Sequence, residues 1–131
     1  MLWIYDLETF PNFFSGTFKD YKTKGVKQFV ISEDRNDLES LIDFVDNPHL
    51  WLVGYNNYHF DNQLLKFIVE NRFMYMGEDP THIAKNIYDF ARSVIEDDWR
   101  EHMYSLPFRS LDVMKIGNLS QKSLKIGRAH V

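Results

Sequence analysis

Two carboxylates stand one residue apart near the start of the chain. Asp6 and Glu8 follow an apolar, β-prone run from Leu2 to Tyr5. Successive side chains of a strand point to opposite faces, so Asp6 and Glu8 share a face. The apolar lead-in predicts that this face is buried, where two carboxylates repel each other and are costly to desolvate. A divalent cation would relieve both penalties, so this strand is predicted to carry half of a metal site, with Mg²⁺ suited to such ligands.

A third carboxylate, Asp61, lies in the first turn of a predicted helix. Its spacing places it on one helical face with three apolar residues, Leu64, Leu65 and Ile68. Because that face should pack on the sheet, Asp61 is predicted to point towards the strand that carries Asp6 and Glu8. The alternative is that Asp61 only caps its helix, where a carboxylate suits the helix dipole. Convergence of three acids from two elements favours the metal site.

The elements that must position these acids follow a mixed α/β order. Strands are predicted over 2–10, 13–18, 26–31, 50–55 and 108–113. A first helix is predicted after a cap at Asn36, with Glu39 completing a capping box. A second is predicted from Asp61 to about Arg72, and a third from a cap at Asp79 to about Met103. Another helix is predicted to start over Ser120 to Lys125. The fold class is therefore α/β, with a mixed five-stranded sheet, three N-terminal antiparallel strands and flanking helices. This order resembles the ribonuclease H-like fold.

Composition sets the class of protein but discriminates weakly between functions. The 131 residues are 44% hydrophobic and 16% aromatic, which predicts one globular domain. The absence of cysteine excludes disulfides, thiolate metal sites and cysteine catalysis, and fits a reducing, cytoplasmic location. No apolar run approaches the roughly 20 residues of a membrane span, and no signal peptide is recognised, so no membrane partner is expected. The net charge of −4 argues against broad electrostatic coating of nucleic acid and leaves a local site open.

The end of the chain is interpreted as a non-native tail. Residues 126–131 can be back-translated into a stretch that resembles a common sequencing adapter read in frame. Residues 1–125 are then expected to be one domain, cut before its natural end.

Two motifs resemble a known family. Asp6-Leu7-Glu8 in the first strand, and Gly54-Tyr55-Asn56 followed after three residues by Phe60-Asp61, resemble the first two motifs of the DEDD 3′–5′ exonucleases. The second motif is most similar to that of the proofreading domain of family B DNA polymerases, including phage ones. The resemblance spans Leu2 to about Lys125. Two later segments, 110–115 and 123–125, are similar to the family less specifically.

The resemblance implies a set of metal ligands. In the family, four carboxylates hold two divalent ions, Mg²⁺ or Mn²⁺, that activate a water and stabilise the departing 3′ oxygen. Asp6 would bridge both ions, and Glu8 would bind the one that activates water. Asp61 would hold the second ion, directly or through water.

The resemblance also implies how substrate and partners bind. Leu7 and Phe60 would pack against the terminal bases, since apolar and aromatic side chains suit a single-stranded end. Asn56 would help to place the substrate strand. The expected partners are the single-stranded 3′ end of DNA and the polymerase domain of the same parent chain, in the host cytoplasm if the chain is phage-encoded.

One departure from the family concerns the fourth acid. The family supplies it from a Tyr-x3-Asp motif in a later helix, and no such motif follows Asp112 here. Asp112 is interpreted as an auxiliary strand residue rather than a substitute, so the site is expected to be incomplete and this chain inactive. Two alternatives stay open: a free-standing DEDD nuclease acting on DNA or RNA, and a ribonuclease H-like module that binds nucleic acid without cleaving it.

Overall fold

The computed structural model describes residues 1–54, 60–96 and 106–112, with Asp112 described by its backbone alone. The strands in these ranges are β1 (Leu2–Phe10), β2 (Phe13–Asp20), β3 (Val26–Ser32), β4 (Arg35–Asn36), β5 (Trp51–Gly54) and β6 (Arg109–Asp112). The helices are α1 (Leu38–Val45), α2 (Asp61–Glu70), α3 (Arg72–Tyr75) and α4 (Pro80–Glu96).

The strands form one mixed sheet in the order β4-β3-β2-β1-β5-β6. Neighbours from β4 to β1 are antiparallel, whereas β5 runs parallel to β1 and β6 runs parallel to β5. The fold is therefore α/β with flanking helices, and the predicted change from antiparallel to parallel pairing is confirmed. The predicted count of five strands is wrong, because the two-residue β4 pairs with the end of β3 and is too short to show any alternation in the sequence.

One face of β1 lies in the hydrophobic core. Trp3, Tyr5 and Leu7 are each less than a tenth exposed. Phe44 of α1 meets Trp3 edge-on, with 5.1 Å between the ring centroids. The buried residues of α2 and α4 join the same core: Leu64, Leu65, Ile68, Val69, Ile83, Ala84, Ile87 and Ala91. The helices thus pack against the Trp3 face of the sheet.

The opposite face of β1 carries the two acids, and it is not buried in the described part of the chain. Asp6 and Glu8 are both exposed, and Leu2 and Ile4 on the same face are half-buried. The prediction of a buried face for the acids is therefore wrong. Leu2 and Ile4 made that face look internal, but the core-forming residues are those that alternate with them.

Gly16 of β2 makes room for Leu7. The two residues are directly opposite each other in the β1–β2 ladder. A Cβ atom at Gly16 would lie 3.0 Å from Leu7 Cδ2 and 3.1 Å from Phe18 Cε1, which is tighter than ordinary van der Waals contact. The missing side chain therefore lets Leu7 and Phe18 fill the core at this point, which anchors the end of β1 that carries the acids.

Two of the predicted helix starts have different outcomes. Asp79 caps α4 as predicted, since its carboxylate accepts hydrogen bonds from the Thr81 N–H and hydroxyl. The cap of α1 is Asp37 rather than the predicted Asn36, and it makes no side-chain capping bond. The carboxylate of Asp37 instead accepts the Val30 N–H at 2.9 Å and pairs with Arg35, because a neighbouring strand and a cation compete with the helix end.

The remaining helices agree with the sequence in part. Residues 72–75 form the short helix α3, where the end of one helix and a loop were predicted. The described part of α4 ends at Glu96, and its predicted continuation to Met103 lies outside the described residues, as does the helix predicted at Ser120 to Lys125. In the described ranges, no helix is long and apolar enough to cross a membrane.

Candidate metal and nucleic-acid site

The edge of β1 that faces β5 is paired with it from Leu2 to Ile4 in the described ranges. The described ladder between the two strands ends at the pair Ile4 and Val53. Trp51 N–H donates to the Met1 carbonyl, and backbone groups alternate between the two edges of a strand, so the odd-numbered residues of β1 direct their N–H towards this edge. The Leu7 N–H therefore lies on the β5 side of β1.

Asp61 lies near this part of β1. It is the first residue of α2, and both the charge of Asp6 and the backbone of Leu7 influence its pKa. The residue that caps α2 is Phe60, and no side-chain capping bond is made there. Asp61 thus lies near the strand that carries Asp6, as its helical spacing predicts.

The surroundings of Asp61 disfavour its negative charge. Burial, and then the nearby charge of Asp6, raise the pKa of Asp61 from the usual 3.8 to about 7, against the lowering effect of the Leu7 N–H. Desolvation and a like charge both favour the protonated form of a carboxyl group. A cation between the two carboxylates would reverse both effects, so the pair has the electrostatic character of a cation site.

Glu8 does not form a close group with Asp6 and Asp61 in the described ranges. It lies on the same face of β1 as Asp6 and is exposed. Over residues 1–54, 60–96 and 106–112, no three His, Cys, Asp or Glu side chains come close enough together to hold a metal ion. The structure thus brings together Asp6 and Asp61 and leaves Glu8 beside them on the strand. The side chain of Asp112 lies outside the described residues.

The oxygen donors fit a hard divalent cation. Asp6, Glu8 and Asp61 offer carboxylates, the ligands that Mg²⁺ and Mn²⁺ prefer, and a bound cation would offset the unfavourable surroundings of the Asp61 charge. In the described ranges, Asp6 and Asp61 lie near each other, but they do not form a group of three ligands with Glu8.

The residues predicted to bind substrate have different surroundings. Leu7 is 5% exposed, which leaves little of its side chain for a base to contact. Phe60 is half-buried and packs against the edge of the core immediately before Asp61. Asn56 lies outside the described residues.

Tyr5, Asn62 and Ser110 form hydrogen bonds that the sequence did not predict, and two of these residues are chain neighbours of Asp6 and Asp61. The Tyr5 hydroxyl donates to Asn62 Oδ1, and Asn62 Nδ2 donates to Ser110 Oγ at 2.8 Å. Asn62 is fully buried. The signal available in the sequence was its helical phase, since Asn62 is spaced i, i+3 and i+7 with the buried Leu65 and Val69.

Comparisons of the chain with protein-family models, with curated proteins and with solved structures find no significant match. A functional conclusion therefore depends on the site itself, and on the motif resemblance as an analogy.

Proposed function

We propose that this chain is part of a metal-dependent 3′–5′ exonuclease domain with a ribonuclease H-like fold, the proofreading domain of a phage-type family B DNA polymerase. The observation that carries the proposal is the position of Asp61, in the first turn of α2, close enough to Asp6 of β1 for that charge to raise the Asp61 pKa. Two carboxylates from separate elements meet there although burial and repulsion oppose it. Such an arrangement is typical of functional sites rather than of structural ion pairs.

Three carboxylates would hold the metal ions. Asp6 and Glu8 come from one face of β1, and Asp61 comes from the first turn of α2. Two divalent ions, Mg²⁺ or Mn²⁺, supply Lewis-acid activation of water and neutralisation of charge on the phosphate when they are bound.

The exposure of Asp6 and Glu8 would let a nucleic acid strand reach them. Asp6 and Glu8 are exposed on the sheet face opposite the described helices, so a nucleic acid strand can reach them. The half-buried Phe60 next to Asp61 offers an aromatic ring for a terminal base. The reaction would hydrolyse the terminal phosphodiester of a single-stranded 3′ end of DNA and release a nucleoside monophosphate.

The origin of the fourth carboxylate distinguishes this proposal from its alternatives. The natural reading frame that encodes residues 1–125 should continue into a Tyr-x3-Asp motif and then into polymerase motifs. A frame that stops soon after the fourth acid would instead indicate a free-standing nuclease. A complete domain without that acid would indicate a non-catalytic nucleic-acid-binding module.

The direct test is hydrolysis of a 5′-labelled single-stranded DNA by the natural chain that contains residues 1–125. We expect products shortened stepwise from the 3′ end, and only when Mg²⁺ or Mn²⁺ is added. Asp6→Ala should reduce the rate by about a thousandfold or more, because removing a ligand shared by both ions removes several kcal/mol of transition-state stabilisation.

Asp43→Ala is the matched control, since Asp43 is an exposed carboxylate of α1 on a surface away from the acids. This variant should retain the wild-type rate and metal dependence. Unchanged hydrolysis in Asp6→Ala, or hydrolysis that persists in a metal chelator, would overturn the proposal.

A further inference from the structure

The basic residues of this protein differ in whether an acid neutralises them. Arg72 of α3 and Arg92 of α4 each pair with a carboxylate. Over residues 1–54, 60–96 and 106–112, the ion pairs include none of these exposed cations: Lys19, Lys22, Lys24, Lys27 and Arg109. They come from the β2–β3 hairpin and from β6. An exposed cation that no carboxylate neutralises remains able to attract an anion.

Two of these cations lie on the sheet face that carries the acids of β1, which is called the acid-bearing face below. Lys19 is directly opposite Ile4 in the β1–β2 ladder. Trp51 is opposite Leu2 in the β1–β5 ladder, and Arg109 is opposite Trp51 in the β5–β6 ladder. Because directly opposite residues of neighbouring strands project to the same face, Lys19, Trp51 and Arg109 share the acid-bearing face.

Aromatic rings accompany the cations. The Arg109 guanidinium carbon lies 5.5 Å from the Trp51 ring centroid, and Lys24 Nζ lies 4.8 Å from the Tyr21 ring centroid. Tyr21 is 59% exposed, and its N–H donates to the Leu2 carbonyl, which places the hairpin beside the start of β1. Surfaces of this composition bind single-stranded nucleic acids, because bases stack on the rings while cations contact the phosphates.

A short single strand can span the distance from these groups to the acids. Along β1, the path from Leu2 to Asp6 is about 13 Å, at roughly 3.3 Å per residue. A strand with stacked bases covers that distance with about four nucleotides, at roughly 3.4 Å each. A terminal phosphate at Asp6 is therefore compatible with contacts between nucleotides further along the strand and the Trp51 end of the face.

The charges favour a nucleic acid over a polypeptide layer on this face. Leu2, Ile4 and Val53 are half-buried and apolar, as they would be beneath such a layer. A layer would also bury Lys19 and Arg109, and burying a charge without a partner is costly. A polyanion, in contrast, brings the negative charge that these two cations lack among the described residues.

We propose that Lys19, Trp51 and Arg109 form a contact surface for single-stranded DNA on the acid-bearing face. Trp51 stacks with a base, and the two cations contact phosphates. The location of the 3′ end at Asp6 rests on the proposed function, whereas the binding itself does not.

The test is binding of a short fluorescent oligothymidylate to the 131-residue chain, measured by anisotropy in EDTA so that hydrolysis plays no part. Lys19→Gln/Arg109→Gln should bind about tenfold more weakly, because two phosphate contacts are lost. The slope of log Kd against log salt concentration should also fall by about 1.4, at about 0.7 per contact. Both residues are exposed, so the fold should survive the change.

Tryptophan fluorescence tests the stacking separately. We expect the oligothymidylate to quench part of the fluorescence of the unmodified chain, and to quench less in Trp51→Phe, which keeps an aromatic ring at this position. A duplex that contains the same strand should not produce this quenching, because its bases are paired and stacked on one another.

Lys27→Gln is the matched control. Lys27 is an exposed lysine of the same hairpin, but it is opposite Phe18 and its Nζ lies 5.7 Å from the ring centroid of Phe44, so it is on the other face. This substitution makes the same change in net charge as Lys19→Gln. It should leave the affinity within about twofold of the unmodified value and the salt slope unchanged.

Wild-type affinity and salt slope in Lys19→Gln/Arg109→Gln overturn the inference even if the protein proves to be a nuclease. Absence of binding by the unmodified chain overturns it as well, and is the result that a face covered by another polypeptide predicts. Binding that weakens as expected, when the natural chain degrades no DNA with Mg²⁺, supports the surface and overturns the proposed function instead.

Discussion

An aspartate stands at the start of two helices, α2 and α4, and the pKa values of the two side chains are shifted in opposite directions. Asp79 precedes the first residue of α4, and its carboxylate accepts hydrogen bonds from Thr81 N–H at 3.0 Å and from the Thr81 hydroxyl at 2.9 Å. These bonds lower the pKa of Asp79 below its usual value. Asp61 is the first residue of α2, lies near Asp6 of β1, and has its pKa raised to about 7 by burial and by the charge of Asp6.

The helix dipole cannot explain this difference, because it favours a carboxylate at the start of either helix. The two aspartates differ by one position in the helix and also in their tertiary surroundings. Asp79 is exposed and satisfied by its own helix, whereas Asp61 is half-buried and faces the like charge of Asp6. The same residue type, one helix position apart, is a structural cap in α4 and a candidate ligand in α2.

The greatest change in stability is expected for Asp61→Asn, as a gain at alkaline pH. The folded-state pKa of about 7 lies above the usual 3.8, so the unfolded chain loses its proton first and folding weakens as pH rises between these values. One pKa unit corresponds to about 1.4 kcal/mol, which sets an upper limit of about 4 kcal/mol; partial exposure to water reduces the expected gain to about 1–3 kcal/mol.

Urea unfolding of the metal-free protein at pH 8 and at pH 4 measures this gain. The advantage of Asp61→Asn should be present at pH 8 and should vanish by pH 4, where the wild-type carboxyl group is protonated in the folded state and becoming so in the unfolded state. An advantage of equal size at both values of pH would contradict the electrostatic explanation.

The second prediction is a loss of stability, at Asp79. Asp79→Ala should lower the melting temperature by a few degrees at pH 7, because Thr81 loses the carboxylate that accepts its N–H. The contribution of Asp79 is present above its unfolded-state pKa and is lost as pH falls through the lowered folded-state pKa, so the difference should shrink in strong acid. Differential scanning calorimetry at pH 8 should show opposite shifts for Asp79→Ala and Asp61→Asn, and shifts of the same sign would remove the contrast between the two aspartates.

A slighter effect is expected at Glu8. Removing its charge from the metal-free protein with Glu8→Gln should raise the melting temperature slightly, since like-charge repulsion along the Asp6 face is relieved. Glu8 is exposed, so the rise should be smaller than for Asp61→Asn and should disappear in 1 M salt, where the screening length is about 3 Å. A clear fall would count against repulsion among these acids.

The sequence predicted the elements well where their pattern was long. The alternation in β1 and the apolar stripes of α2 and α4 carried enough residues to define an element, whereas the two residues of β4 and the four of α3 did not. The cap of α1 was placed one residue early, because Asn36 and Asp37 are both good capping residues and the choice depended on contacts with Val30 and Arg35.

The sequence predicted the direction in which Asp61 lies, but it did not predict which face of β1 is buried. Spacing indicated that Asp61 points towards β1, yet it could not show that the other face of β1 forms the core, since Leu2 and Ile4 are as apolar as Trp3 and Tyr5.

Whether Asp61 belongs to a cation site with Asp6, rather than to its helix cap, can be decided by titrating Asp61 itself. The measurement is carboxyl-carbon NMR of Asp61 across a range of pH, without and with saturating Mg²⁺. We expect a midpoint of about 7 in the metal-free protein, and a clear fall in that midpoint when Mg²⁺ is present. A midpoint near 3.8 that Mg²⁺ does not move would show that Asp61 is an ordinary helix-start residue like Asp79, and that no cation site exists between Asp6 and Asp61.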